Sequence, residues 1–355
     1  MSDGFDEPEP PRPVLSYPFE HVPEAGAGET VEVAPGVLWL RMPLGGSLKA
    51  INVWALDDGD GWTIVDTGLR THESAQGWRS AFTGALAGKP VTRVICTHMH
   101  PDHVGLAGWI LRKFPDARLW MTRLEYITCR MLTADTGREA PEDGVRFYKA
   151  AGWDEPSIET YRTRFGGFGR GLYPLPDSYR RLSDGDAVTI GGRAWRVVVG
   201  CGHSPEHACL YSPDLKLLIS GDQVLPRISS NVSVHPTEPD ADPLTDWLTS
   251  LAKVKAEVPD DVLVLPAHNE PFHGLHRRID HLIGGHERGL ARLRTRLQEP
   301  KRAVDVFGAL FARQIGPDLL GMATGEAMAH LNCLWKRGAA EPHLDDEGVQ
   351  WWRAA

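Results

Sequence analysis

Thr97-His98-Met99-His100-Pro101-Asp102-His103 places three histidines and one aspartate between positions 98 and 103. The apolar run at 91–96 reads as a buried strand, and 104–111 continues at helical spacing. The stretch is therefore a strand-to-helix loop, the kind of place where a rigid scaffold presents chemical groups. Four potential ligands buried this close together would strand their polar atoms unless a partner satisfied them. A solvated loop explains one histidine by chance. For H-x-H-x-D-H a metal is the simpler partner, because neutral imidazole and carboxylate are the usual ligands of catalytic zinc.

Outward from this loop, four more segments set a donor just beyond an apolar strand. Ile64-Val65 runs into Asp66-Thr67-Gly68, Val197-Val198-Val199 into Gly202-His203-Ser204, Leu217-Leu218-Ile219 into Gly221-Asp222, and Val262 with its followers into Ala267-His268. In a layered α/β chain, strand ends on one edge form a common rim on which sites are built. Further strands are expected at 31–33, 37–41, 50–56, 119–121, 187–190 and 208–211, and helices at 73–86, 243–258, 275–298, 303–313 and 323–337. Two strand-rich blocks, each followed by helices, predict two packed sheets with helices outside. Residues 123–181 read as a helical insertion outside the core, ending in the glycine-rich aromatic segment 165–173. Residues 1–30 read as a loose arm rich in Pro, Glu and Gly.

Composition bounds the function. A net charge of −9 argues against non-specific nucleic-acid binding as the main task. The five cysteines form no C-x-x-C pair and are odd in number, so a reducing cytoplasm is expected. The acidic, proline-rich start has neither the basic flank nor the apolar core of a signal peptide, and no apolar run approaches membrane-spanning length.

The order Asp66-Thr67-Gly68, T-H-M-H-P-D-H, Gly202-His203-Ser204, Gly221-Asp222, Ala267-His268 resembles the metallo-β-lactamase-fold hydrolases across 31 to about 275. The resemblance implies an α/β, four-layer αββα sandwich: an arm at 1–30, a catalytic domain at 31–275 carrying the insertion at about 123–181, and a helical, winged-helix-like module at 276–355. It also implies two divalent ions. His98, His100 and His203 would hold one, Asp102, His103 and His268 the other, with Asp222 bridging. Zinc is preferred, and iron and manganese stay open because ligand type discriminates poorly among them. Asp66 is expected to steady a ligand histidine by hydrogen bond, and His207 to be a supporting group. Asp102 is the expected catalytic residue, orienting a hydroxide shared by the metals or accepting its proton. Thr97, Met99 and Pro101 are read as only shaping the loop, and His286 and His330 as ordinary side chains.

The resemblance does not fix the reaction, since the family holds thioesterases of the glyoxalase II kind, lactonases, β-lactamases, nucleases and non-hydrolytic members. Asp222 stands where some β-lactamases carry cysteine, which disfavours those. The tail resembles the small tails of members that cleave RNA or acyl-carrier-protein thioesters. Its last long helix carries only Lys336 and Arg337 near its end, so a packing or dimerisation module is preferred to a nucleic-acid partner. The run Arg288, Arg292, Arg294, Arg296, Lys301, Arg302 keeps RNA open. The expectation is a hydrolase whose metal-bridged hydroxide attacks a small-molecule acyl thioester or a related activated ester or lactone. The alternatives are RNA phosphodiester cleavage and ligand binding at the metals without turnover. Substrate contacts are expected from the loop after Asp222 (Gln223, Arg227, Ser229, Ser230, Asn231), while Phe165, Phe168 and Tyr173 either cover an acyl chain or simply pack.

Overall fold

A computed structural model describes residues 14–46 and 48–355. Seven strands form the first sheet in the order of the chain: β1 Val31–Ala34, β2 Val37–Pro43, β3 Ala50–Asp57, β4 Trp62–Val65, β5 Val91–Ile95, β6 Arg118–Thr122 and β7 Arg180–Leu182. Five form the second: β8 Ala187–Ile190, β9 Arg193–Gly200, β10 His207–Ser212, β11 Leu217–Gly221 and β12 Leu263–Pro266, in spatial order β12-β11-β10-β9-β8. The pairs β4–β5 and β11–β12 are parallel, so their C-terminal ends open onto a shared edge in each sheet.

The two sheets face one another through a single apolar layer. Trp39, Trp54, Leu56 and Ile95 from the first meet Val197, Leu210, Ile219 and Leu265 from the second. Burial of such side chains is worth roughly 1.5–3 kcal/mol each and fixes which face of every strand points inward. Helices α1 His72–Thr83, α2 Pro101–Val104 and α3 Ala107–Lys113 precede β6; Trp78 and Ile110 of this group cover the outside of the first sheet. Then follow α4 Arg123–Ala134, α5 Glu142–Ala150, α6 Glu155–Arg164 and α7 Pro243–Glu257. The long α8 Leu275–Arg296, the short α9 Phe307–Leu310 and α10 Leu320–Lys336 complete the helices, and a hairpin, β13 Ala340–Leu344 with β14 Gln350–Ala354, ends the chain. Trp247, Leu251, Ile279, Leu331 and Trp352 cover the outside of the second sheet. The result is the αββα layering, with the C-terminal helices built into its outer layer. No described helix is long and apolar enough to cross a membrane.

Several expectations are corrected. The helix expected at 73–86 stops at Thr83, where Gly84 caps it. The helix expected after the histidine loop is two pieces, broken at Gly105 and Leu106. The helix expected at 303–313 is a 3-10 turn at Ala303–Val306 and a single turn to Leu310, because Asp305 accepts from Arg302 N and folds the start tightly. Arg180 and Arg181, read as the end of the insertion, form with Leu182 an edge strand of the first sheet. Residues 1–13 of the expected loose arm lie outside the described residues. From residue 14 on, the arm is fastened: Ser16 and His273 exchange backbone hydrogen bonds (3.3 and 2.8 Å), and Phe19 packs on Trp39.

Candidate metal centre

The rim is where the five donor segments meet. Asp66 follows β4, the histidine loop follows β5, His203 follows β9, Asp222 follows β11 and His268 follows β12. Backbone bonds stitch these ends together: Ala208 N donates to Thr97 O (2.8 Å) and Ala267 N to Gly221 O (3.0 Å). Asn52, buried in β3, donates from its amide to Pro266 O (2.7 Å) and Asn269 O (2.6 Å), which fixes the turn bearing His268. At Gly221 the chain adopts φ +49, and a Cβ there would stand 2.4 Å from the His207 ring, so glycine lets Asp222 be set directly over His207. His207 Nε2 then accepts the Asp222 N–H (3.0 Å), the supporting role expected of it.

Three of the five histidines that cluster here are each oriented by an acceptor behind the ring. His103 donates from Nδ1 to Asp66 Oδ2 (2.8 Å), His203 to the Asn231 carbonyl (2.7 Å) and His268 to the Ala50 carbonyl (3.3 Å). Carbonyl and carboxylate oxygens only accept, so Nδ1 carries a proton in all three and Nε2 is the atom left to face a metal. Three sets of donor atoms result, within 4.8 Å of one another in each: His98, His100, His203; His98, His103, Asp222; and Asp102, His103, His268. Two of these groups bring together the residues expected to share an ion, and the third joins Asp222 to His98 and His103.

The donor set fits a metal on its own geometry. His103 Nε2, His203 Nε2 and Asp222 Oδ1 are buried and make no hydrogen bond, a costly arrangement without a cation. Nearby spacings are too long for good hydrogen bonds: His203 Nε2 to Asp222 Oδ2 3.4 Å, His268 Nε2 to Asp102 Oδ2 3.4 Å, His268 Nε2 to Asp222 Oδ1 3.5 Å and His103 Nε2 to Asp222 Oδ1 3.6 Å. Tetrahedral bonds of about 2.1 Å put ligand atoms about 3.4 Å apart, so these are ligand-to-ligand spacings.

The electrostatics differ across the site. Burial and the neighbouring imidazoles push His98 well below its ordinary range, and burial with His203 beside it takes His100 down to about 3. Both present neutral rings. Burial also opposes charge on His103, yet Asp66, Asp102 and Asp222 hold its pKa well above the imidazole range. Burial works to raise Asp102, but the charge of His103 and the bond to His268 hold it at about 2. So acidic a carboxylate is a good ligand and a weak proton acceptor.

The residues expected to contact substrate make the following contacts within the chain. Arg227 is paired with Glu270 through Nε and Nη2 (3.1 and 3.0 Å) and lies over the Tyr17 ring, so it is taken up locally. Ser229 Oγ meets His286 Nε2 (3.1 Å), and Ser230 Oγ donates to Asp222 O (2.5 Å). Gln223 is fully buried beneath Gly200. Asn231 turns its backbone carbonyl toward His203. Tyr173 sits between the guanidiniums of Arg70 and Arg112, so of its two readings packing holds.

Two contributors were missed. Thr97 donates from Oγ1 to Asp66 Oδ2 (2.8 Å) and lies 3.1 Å from His98 Nδ1, so it does more than shape the loop. Glu125, in the supposed insertion, is fully buried and accepts from Met99 N and Glu206 N (both 2.8 Å). It ties the first histidine loop to the loop of His203. A lone glutamate in a helix carries no signal of this in the sequence.

Comparison with known proteins gives the same picture. A family model described as "Metallo-beta-lactamase superfamily" matches residues 46–268, and one described as "Metallo-beta-lactamase-like, C-terminal domain" matches 290–355. A crystal structure of a beta-lactamase domain protein from Burkholderia ambifaria is 41% identical, covers 96% of this chain and 98% of that one, and superposes with a TM-score of 0.87. Among characterised sequences, an atrochrysone carboxyl ACP thioesterase of Aspergillus fumigatus is 24% identical over 66% of this chain. An acyl-coenzyme A thioesterase, MBLAC2, of Gallus gallus is 26% identical over 53% of it. The matched segment spans 41% of the fungal protein and 63% of the avian one.

Proposed function

This chain belongs to the metallo-β-lactamase superfamily, and from that premise we propose that it is a dinuclear metal-dependent hydrolase of acyl thioesters or related activated esters and lactones. The observation that carries the reading is the convergence of buried, unpartnered donor atoms on one rim: His103 Nε2, His203 Nε2 and Asp222 Oδ1. His98, His100 and His203 would hold one ion and Asp102, His103 and His268 a second, with Asp222, which groups with His98 and His103, as the carboxylate they would share. Zinc suits a set of imidazoles and carboxylates. When bound, such ions supply Lewis acidity and bring the pKa of water toward neutrality. Asp102, at the partly open side of the site, orients the attacking water by accepting its hydrogen bond, a role that needs no strong base. Asp66 and the Asn231 carbonyl keep His103 and His203 in the tautomer that leaves Nε2 free.

Three observations favour an acyl substrate over RNA. Two relatives of about one-quarter identity bear thioesterase names. Leu124, Ile127 and Met131 stand exposed at helical spacing on α4, the helix whose Glu125 ties the histidine loops together, and an apolar chain is what such a ridge accommodates. In the tail, Arg302 is paired with Asp305, Lys301 with Glu299 and Arg337 with Glu287, which removes cations from phosphate tracking. All five cysteines are free thiols, in keeping with a cytoplasmic protein.

The test is a substrate panel on zinc-replete protein. Free thiol is expected from acyl-coenzyme A or acyl-pantetheine thioesters, lost on dialysis against a chelator and regained with zinc. Cleavage of RNA with no turnover of any thioester, ester or lactone would replace this reading with the nuclease one. Asp222→Ala is expected to lose most of the bound metal, and two ions retained by elemental analysis would remove Asp222 from the bridging place.

A further inference from the structure

Glu326 is a charge the proposed reaction does not use. It lies in α10, among Ala323, Ala327, Met328 and Leu331, in a stretch otherwise made to pack. We propose that Glu326 is a positioning residue for His203, acting through Asn231, so that the C-terminal module completes the metal centre. The inference rests on the metal-ligand reading above.

The argument runs through one loop. His203 Nδ1 donates to the Asn231 carbonyl. A carbonyl orients a ring only as firmly as its own residue is held, and Asn231 is held at both ends of its side chain. Its Nδ2 donates to Glu326 Oε2 (2.8 Å), and its Oδ1 accepts from Ser233 Oγ (2.5 Å). When ionised the carboxylate can only accept and the hydroxyl supplies the donor, so in that state the amide has one consistent orientation. The same loop is fastened through its backbone, with Val234 N donating to Gly325 O (3.0 Å). A Cβ on Gly325 would stand 2.6 Å from Ser233 Oγ, so glycine is what brings α10 this close. The helix is in turn anchored by Trp153 Nε1 to Thr324 Oγ1 (2.9 Å) and by Asn332 Nδ2 to the Pro239 and Ala241 carbonyls (2.9 and 2.8 Å).

Chemistry favours a role for the carboxylate over simple packing. An apolar side chain at 326 would fill the space without the desolvation a carboxylate incurs. What the carboxylate adds is an acceptor aimed at Asn231. Groups behind a metal-binding histidine set its ring orientation and basicity, and their loss is felt in metal affinity.

The experiment uses the full chain. Zinc affinity is measured by competition with a chelator, and the visible absorption of cobalt-substituted protein reports the coordination around His203. Glu326→Ala and Asn231→Ala are each expected to weaken zinc binding by about 10-fold to 100-fold and to shift the cobalt bands, whereas Glu326→Gln, which still offers an oxygen to Asn231, stays within about threefold of the parent. Should Glu326→Ala fail to fold, Asn231→Ala decides alone by the same two readouts, since it leaves α10 untouched and keeps the backbone carbonyl. Unchanged affinity and bands in the alanine variants, with only a lowered melting temperature, would overturn the proposal and leave the metal centre standing. A parent protein that takes up no zinc would overturn the metal centre itself, and this inference with it.

Discussion

Glu125 on α4 and Glu326 on α10 both reach inward from helices outside the strand-end motifs; Glu125 fastens loops that bear imidazoles, and Glu326 a loop whose carbonyl orients one. They are satisfied very differently. Glu125 is fully buried, and both its oxygens accept backbone N–H groups, from Met99 and from Glu206. The Glu206 carboxylate is itself capped by Leu124 N (2.8 Å). Glu326 is only partly buried and receives one amide, from Asn231. Burial raises both carboxyls, and that of Glu326 reaches about 7. The contrast shows that a buried carboxylate needs donors in proportion to its burial. With two backbone partners it is a rigid clamp between loops; with one side-chain partner it stays near its own titration at neutral pH.

The largest expected effect follows from the clamp. Glu125→Ala leaves two buried N–H groups without acceptors, one on each histidine loop, and is expected to lower stability by about 3–5 kcal/mol. Bound metal should fall with it. Urea unfolding with an unchanged slope and a lower midpoint would register the loss, and elemental analysis the metal. A change below about 1 kcal/mol with full metal content would mean that the loops hold one another without Glu125.

Glu326 sharpens the contrast through pH. Its folded pKa of about 7 exceeds the ordinary 4.5, so the folded chain holds that proton more tightly than the unfolded one. The stability this gives is complete below pH 4.5 and is lost as pH rises to 7, by at most about 3 kcal/mol, less where water reaches the carboxylate. Glu326→Gln cannot ionise. It is therefore expected to match the parent near pH 4.5 and to exceed it in stability at pH 8. Parallel pH profiles for the two proteins would show that the carboxyl titrates normally. His286 and His330, pushed down by burial to about 3 and about 4, are shared by both proteins and cancel in the comparison.

The residues that converge on the rim were readable because each one follows an apolar strand: Asp66 after Ile64-Val65, His268 after β12, and so on round the rim. Strand periodicity and donor type are local signals. What could not be read depends on distant partners. Glu125 matters through Glu206, Asn52 through Pro266 and Asn269, and neither residue stands in a motif. The pairing of Arg227 was hidden for the same reason, since Glu270 lies 43 positions away. β7 escaped because Arg180-Arg181-Leu182 is short and charged, and its pairing comes from β6 beside it. The Glu326 link crosses 95 positions, from the rim to the last long helix.

Thr97 tests the smallest version of the same logic, inside the motif itself. Its hydroxyl has one proton, donated to Asp66 Oδ2, which leaves a lone pair for His98 Nδ1 at 3.1 Å. That acceptor fixes His98 with Nδ1 protonated and Nε2 turned toward His100 Nδ1. Thr97→Val keeps the shape but removes both bonds, at an expected cost of about 1–2 kcal/mol. Zinc affinity should fall by about 10-fold as the His98 tautomer loosens. Thr97→Ser keeps the hydroxyl and loses only the methyl, so it separates hydrogen bonding from packing: near-parental zinc affinity in the serine variant, with loss in the valine variant, assigns the effect to the hydroxyl. Equal losses in both would instead assign it to the methyl group, and Thr97 would return to being a residue that only shapes the loop.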